Sequence, residues 1–394
     1  MSPSSHERPV REKQLLLCCA RAKINHPIAK SVRDILRYEV NWGVLLDDAH
    51  DHSVFPLLER NLLALAPELI PSATAERLKA EAKANAVRCL ALSGELIRIV
   101  DALGAAGVEC IPYKGPVTAS QAYGDITARE FEDLDVVLRQ RNVKRANEVV
   151  QGLGYQARFP SIHTHGTSAA LVPGEYNYSN PERRTILELH TELTLRHFPR
   201  RVDLDAFVSR AVNVDLGGRA MRTFAPEDAL IFLAVHAAKD SWQKLVWITD
   251  VAELMQSNPK LNWTAAIQRA REVGAQRMLH VSLALASELF DAKLPMEVAA
   301  SVQADAGAAA LAEWVQGNWD ARESGALGAQ RRFRFRRQMV PGYVAGWRYA
   351  MRLALAPAED DWTNVRLPRA LAPLYVLLRP LRLLRKYGWA ERQE

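Results

Sequence analysis

The fold turns on Val108-Glu109-Cys110-Ile111-Pro112-Tyr113-Lys114-Gly115-Pro116, followed by Phe131-Glu132-Asp133-Leu134-Asp135-Val136-Val137-Leu138. The first run is short and apolar after Gly107, which predicts a strand. Lys114-Gly115-Pro116 breaks it, and Pro116 suits the first turn of a helix reaching about Tyr123. Gly124-Asp125 then opens a loop. The second run alternates and ends in β-branched residues, which predicts another strand. Residues two apart on a strand share a face, so Asp133 and Asp135 point together while Leu134 and Val136 point to the core. Arg184 to Leu193 repeats the pattern. There Ile186, Glu188, His190 and Glu192 share one face, and Leu187, Leu189 and Leu193 take the other.

The flanks read as helical. Residues 1–11 are expected to be a disordered start, and Glu12 to Leu65 to be helical, with starts near Pro27 and Asp51. Ser72 offers a hydroxyl cap for a long helix ending near Gly104. Asn142 to Leu153 is a helix closed by Gly154, and 163–180 is irregular, a hairpin or a mobile loop. Beyond Pro226 the pattern is helical again to the end of the chain, and no internal repeat is visible. The fold class is therefore α+β: a small mixed β-sheet core flanked by N-terminal helices and a C-terminal helical region. The expected divisions are 1–104 (helical), 105–225 (the α/β core), 226–330 (a helical, substrate-side domain) and 331–394 (a basic helical extension).

Of the 394 residues, 48% are apolar and 24% charged, the composition of a globular chain rather than a disordered one. Four cysteines without a CxxC pair exclude a zinc ribbon and a disulfide scaffold. No window is apolar enough for a membrane span, and Leu15 to Ala20 is too short for a secretory core, so a cytoplasmic protein is expected. The net charge of +6 is uneven: from residue 331 onward 14 Lys and Arg face 5 Asp and Glu, a net of +9, and the preceding 330 residues carry −3. The high pI belongs to the tail and does not make the body a nucleic-acid binder.

Two adjacent carboxylates repel unless a cation lies between them, so Asp133 and Asp135 suggest a magnesium site. Glu188 on a neighbouring strand can add a third carboxylate, and three on one sheet face can hold metals for in-line phosphoryl displacement. Lys114-Gly115 opens a helix, where backbone amides and a point charge favour phosphate. Arg129 stands just upstream of the acidic strand, within reach of a triphosphate or of Asp133.

Tyr113-Lys114-Gly115, Tyr123-Gly124-Asp125, Arg129, Asp133-Leu134-Asp135-Val136-Val137 and Ile186-Leu187-Glu188-Leu189-His190 together resemble the uncharacterised bacterial nucleotidyltransferase family of the DNA polymerase beta-like superfamily. The likeness continues through Leu233 to Lys239, Trp247 to Ala252 and Leu261-Asn262-Trp263, and covers about 105–295 firmly. It implies a metal-dependent transfer of a nucleoside monophosphate from an NTP to an acceptor, with pyrophosphate leaving. Asp133, Asp135 and Glu188 would be catalytic and hold Mg2+ (or Mn2+), and Lys114, Gly115 and Arg129 would bind the nucleotide. One departure is Gly115-Pro116 where the wider superfamily usually has Gly-Ser, so backbone amides and Lys114 must serve for the hydroxyl.

His190, His236 and Asp250 are candidates for an acceptor pocket, with structural packing the competing reading for each. A small molecule, peptide or protein is favoured as acceptor over RNA. The alternatives are a non-catalytic nucleotide-sensing or scaffold protein, and an RNA-directed enzyme. His163 and His165 form an HxH pair without a third ligand, read as a solvated loop. Arg331 to Arg337 alternates basic and aromatic residues, suited to a polyanion or membrane surface or to neutralising the acidic body. Pro373 and Pro380 interrupt Leu371 to Leu384, which predicts packing on the body rather than entry into lipid.

Overall fold

The computed structural model describes residues 10–158, 174–193, 202–319, 334–340, 342–355 and 374–388, with 365, 367 and 371 besides. Its centre is a five-stranded mixed sheet. The strands are β1 (Cys110–Pro112), β2 (Asp133–Leu138), β3 (Gln156–Ala157), β4 (Glu175–Asn180) and β5 (Thr185–His190), in the order β1-β2-β5-β4-β3. Only β2 and β5 run parallel; the other neighbours are antiparallel. A hairpin of β6 (Val212–Leu216) and β7 (Arg219–Thr223) stands apart from the sheet. Gly217 and Gly218, both at positive φ, form its two-residue turn, as the twist of a tight hairpin requires.

Each face of the sheet meets its own hydrophobic core. Leu134, Val136, Leu138, Leu187 and Leu189 pack with Tyr176 and Tyr178 against the second half of the helix Ser72–Ala105 and against the helix Val143–Gly152. The long helix spans about 50 Å at 1.5 Å per residue. Ser72 does not cap it: Pro71 holds the cap position and no side chain accepts from the first turn. On the other face, Ile111, Tyr113 and Val137 join a core shared by helices from both ends of the chain.

The N-terminal helices Val10–Cys19, His26–Leu36, Trp42–Asp51 and Phe55–Leu65 are fastened to Leu245–Ser257 and Gln276–Phe290. Arg21 donates to the Phe290 carbonyl at 2.8 Å and pairs with Asp291 at 2.9 Å. The Ala22 amide donates to Glu253 at 2.8 Å, and the Leu245 amide to His52 Nδ1 at 3.2 Å.

The sheet is tied to this helical layer by a buried ion pair. Arg129, just ahead of β2, grips both oxygens of Asp250 from 2.9 to 3.1 Å. The Tyr123 hydroxyl donates to the same carboxylate at 2.8 Å. Asp250 has no surface in water and the Arg129 side chain 7%. Removing one partner of such a pair leaves an uncompensated buried charge. Asp250→Ala should therefore lose about 3–5 kcal/mol of stability in urea unfolding, and Arg129→Met/Asp250→Leu should recover most of it. An Asp250→Ala protein as stable as wild type would show that the pair does not fasten the layers.

Candidate active site

The β2–β5 register builds the site. Asp135 lies beside Glu188 and Val137 beside His190. On the far side, β4 places Asn177 beside Glu188 and Glu175 beside His190. One face therefore carries Asp133, Asp135, Glu188, His190 and Glu175 in adjoining rows, because the side-chain period of a strand is two. Ligand atoms of Asp135, Glu188 and His190 all lie within 4.8 Å of one another, a donor set able to hold a metal ion. Asp133 is on the same face, half-buried, but outside this closest group.

Asp135 is the hub. Lys114 Nζ donates to its Oδ1 at 2.6 Å, and His190 Nε2 lies 2.9 Å from the same oxygen. His190 Nε2 is also 3.3 Å from Glu188, and its Nδ1 is 4.0 Å from Glu175, which Lys239 approaches at 3.3 Å. Tyr113 closes the cluster from below: its ring meets His190 edge-on at 5.4 Å and carries Lys114 Nζ 4.9 Å from its centroid.

The charges follow this packing. Burial would raise the Asp135 pKa, but Lys114 and His190 outweigh it and hold the carboxyl below the ordinary range. Burial also opposes the charge on Lys114, which Asp135 restores and more, so its pKa is raised. His190 is likewise raised, because its bonds to Asp135 and Glu188 outweigh burial. Among the described residues no cation contacts Asp133: burial, and then the Asp135 charge, push it up to about 6. His236, facing the site from the helix Pro226–Lys239, is held neutral by burial and by the Lys114 charge. Its ring packs edge-on against Trp247 at 5.5 Å.

Lys114 reaches its position at a backbone cost. Its φ of 62° and ψ of −166° fall in a region that is almost restricted to glycine. Gly115 follows at φ +47°, and a Cβ there would lie 3.4 Å from the Asp133 carbonyl. The helix Gly115–Thr118 continues as one π turn, Ala119–Tyr123.

Several sequence expectations sit differently in the structure. Arg129, expected at the triphosphate, and Asp250, expected at the acceptor pocket, form a buried ion pair with each other. Lys114, Gly115, Asp133, Asp135, Glu188 and His190 come together, and His236 borders them. Glu175 and Tyr113 were not foreseen as site residues. The alternation in Glu175-Tyr176-Asn177-Tyr178-Ser179-Asn180 carries the Glu175 signal, with both tyrosines and Asn180 buried. His163 and His165 lie outside the described residues, as do Arg331, Arg332 and Phe333. Phe335 is buried against Trp314 and Trp242, so this part of the basic-aromatic run packs on the body.

The profile of a protein family described as uncharacterised nucleotidyltransferase matches residues 38–291. No curated protein matches the chain. The matched span takes in the whole sheet, the Lys114 turn and the helices that carry His236 and Asp250.

Two outcomes follow from the geometry. A carboxyl whose folded pKa is raised leaves the fold undisturbed below its unfolded value of 3.8 and weakens it as pH rises through 6. In EDTA, Asp133→Asn should therefore match wild type below pH 3.8 and exceed it by about 3 kcal/mol above pH 6. An Asp133→Asn protein less stable than wild type above pH 6 would place Asp133 in an ion pair instead. Lys114→Gly and Lys114→Ala both remove the ammonium but differ in backbone strain. The glycine variant should be more stable by about 1–3 kcal/mol, and equal melting temperatures would show the turn to be unstrained.

Proposed function

The chain belongs to the uncharacterised nucleotidyltransferase family, and from that premise we propose a metal-dependent transfer of a nucleoside monophosphate from an NTP to an acceptor, with release of pyrophosphate. The observation that carries this reading is the convergence of Asp135, Glu188 and His190 beside Lys114 on one sheet face. A polymerase beta-like superfamily placement accords with a mixed sheet whose parallel central pair bears the acids.

The carboxylate oxygens of Asp135 and Glu188 are the donors that Mg2+ or Mn2+ favours, with the His190 imidazole beside them. A divalent cation there would neutralise the triphosphate and, by sharing the Asp135 charge, let the Lys114 ammonium turn to a phosphate oxygen. Asp133, next along the face, would join in holding the cation. Glu188, less deeply buried than Asp135, would accept the proton of an acceptor hydroxyl as it attacks the α-phosphorus. His190, bonded to Asp135 and in contact with Glu188, would fix the orientation of both. Gly115 lets the chain come close to the phosphates, and His236 borders the acceptor side as a neutral donor or acceptor. Most of the rate enhancement would come from positioning and charge neutralisation.

Calorimetry with a non-hydrolysable NTP, with and without Mg2+ or Mn2+, tests this reading. Asp135→Ala should abolish the metal-dependent gain and leave weak metal-free binding. Lys114→Ala should weaken binding in both conditions by about 1.5–3 kcal/mol, as expected for a charge-assisted hydrogen bond. A wild-type chain that binds no NTP with either metal would leave a non-catalytic scaffold as the better reading. If binding is found, incubation with labelled NTPs, Mg2+ and host extract would identify the acceptor.

A further inference from the structure

We propose that the C-terminal helices Tyr343–Leu355 and Tyr375–Gly388 form a docking surface for an anionic lipid bilayer, lying on it rather than crossing it. The first helix exposes Tyr343, Val344, Trp347 and Met351, from 76% down to 49%. They fall at helical spacing on one stripe and line a shallow apolar depression with Arg348 and Arg352. On the second, Leu377 and Leu381, 64% and 61% exposed, continue at intervals of three and four from Leu374 just ahead of the helix. Each helix is nonetheless anchored to its surroundings by one buried tyrosine, Tyr349 or Tyr375. Leu371 to Leu384 was expected to pack on the body; Tyr375 is buried there, but Leu377 and Leu381 face outward.

The charge around them selects the occupant. Residues 331–394 carry a net +9, whereas the preceding part carries −3. A second copy of so basic a segment would be repelled by the first. Single-stranded nucleic acid would use the arginines and aromatic rings, but has no counterpart for exposed Leu374, Leu377, Leu381, Val344 and Met351. An anionic bilayer matches both features: acyl chains take the aliphatic stripe, headgroups take the arginines, and Trp and Tyr sit at the boundary. No helix among the described residues is long and apolar enough to cross a membrane, so the contact is interfacial.

The test is co-sedimentation of the full chain with vesicles of phosphatidylcholine, alone or mixed with phosphatidylserine. Binding should require phosphatidylserine, weaken with salt and survive an excess of free phosphoserine. Trp347→Asp/Leu377→Asp should reduce partitioning about tenfold or more, with the melting temperature unchanged. Arg348→Glu, which disturbs no packed surface, should lower it about tenfold and flatten the salt dependence. Absence of wild-type binding, equal binding to both vesicle types, or full competition by phosphoserine would overturn the proposal. So would a Trp347-dependent dimer in sedimentation velocity, or RNA binding that alone accounts for the basic segment.

Discussion

Asp135 is a carboxylate with 2% of its side chain in water, and it must be neutralised wherever the fold places it. Its position is not negotiable, because β2 runs through the middle of the sheet and Leu134 and Val136 on either side of it are needed in the core. The chain supplies the opposite charge from two directions. His190 comes up the parallel neighbour β5, and Lys114 comes from the turn that ends β1. The strained φ of Lys114 occurs in the turn that carries this ammonium inward, with Nζ 2.6 Å from Oδ1. Asp133 shares the face, and no cation among the described residues contacts it, so burial and then the charge of Asp135 push it toward protonation. Two aspartates two residues apart thus differ in charge affinity because only one is reached by Lys114 and His190.

The same sheet explains why helices from both ends of the chain meet. One face is closed by the Ser72–Ala105 helix; the other would leave Ile111, Tyr113 and Val137 in water without the helical layer. That layer contains the N-terminal helices, Pro226–Lys239 and Leu245–Ser257 in a single core. Where it meets the strand face, polar residues replace apolar ones: Asp250 clasps Arg129, and His236 faces Lys114. The buried pair keeps the layers in register while the site beside it retains charge. Arg129, just ahead of β2, thereby holds the strand against the layer that carries Asp250.

Strand alternation made the site face legible in sequence. Asp133, Asp135, Glu188 and His190 follow from the period of two, and the registers of β2 with β5 could not exchange faces without burying Glu188 and exposing Leu187. The helices of the flanks were legible from spacing, to within a few residues. Contacts between distant segments were not. Arg129 precedes an acidic strand and reads as a free cation until Asp250, 121 residues away, is folded beside it. β4 was obscured because Pro173-Gly174 ahead of it reads as loop, although Tyr176, Tyr178 and Asn180 alternate with Glu175, Asn177 and Ser179. The β6–β7 hairpin carried its own mark in Gly217-Gly218, two glycines between short alternating runs. Ser72 shows the reverse error: a good cap residue is idle because Pro71 already sets the entry angle of the helix.

The charge asymmetry of the chain separates two kinds of surface. In the body, buried acids are met by cations in direct contact: Asp135 by Lys114, Asp250 by Arg129, and Asp228 by both Arg210 and Arg269. Such pairs are short-ranged and fix geometry. In the C-terminal segment the basic residues outnumber the acids by nine, so their field cannot be cancelled locally and extends outward to about a Debye length. Apolar side chains placed within that field, Trp347 and Leu377 among them, are kept from self-association by the charge that surrounds them. An oppositely charged surface removes that barrier and buries the stripe in the same event. Electrostatics and the hydrophobic effect thus oppose each other in solution and act together at an anionic interface, which makes attachment depend on the charge of the surface that is met.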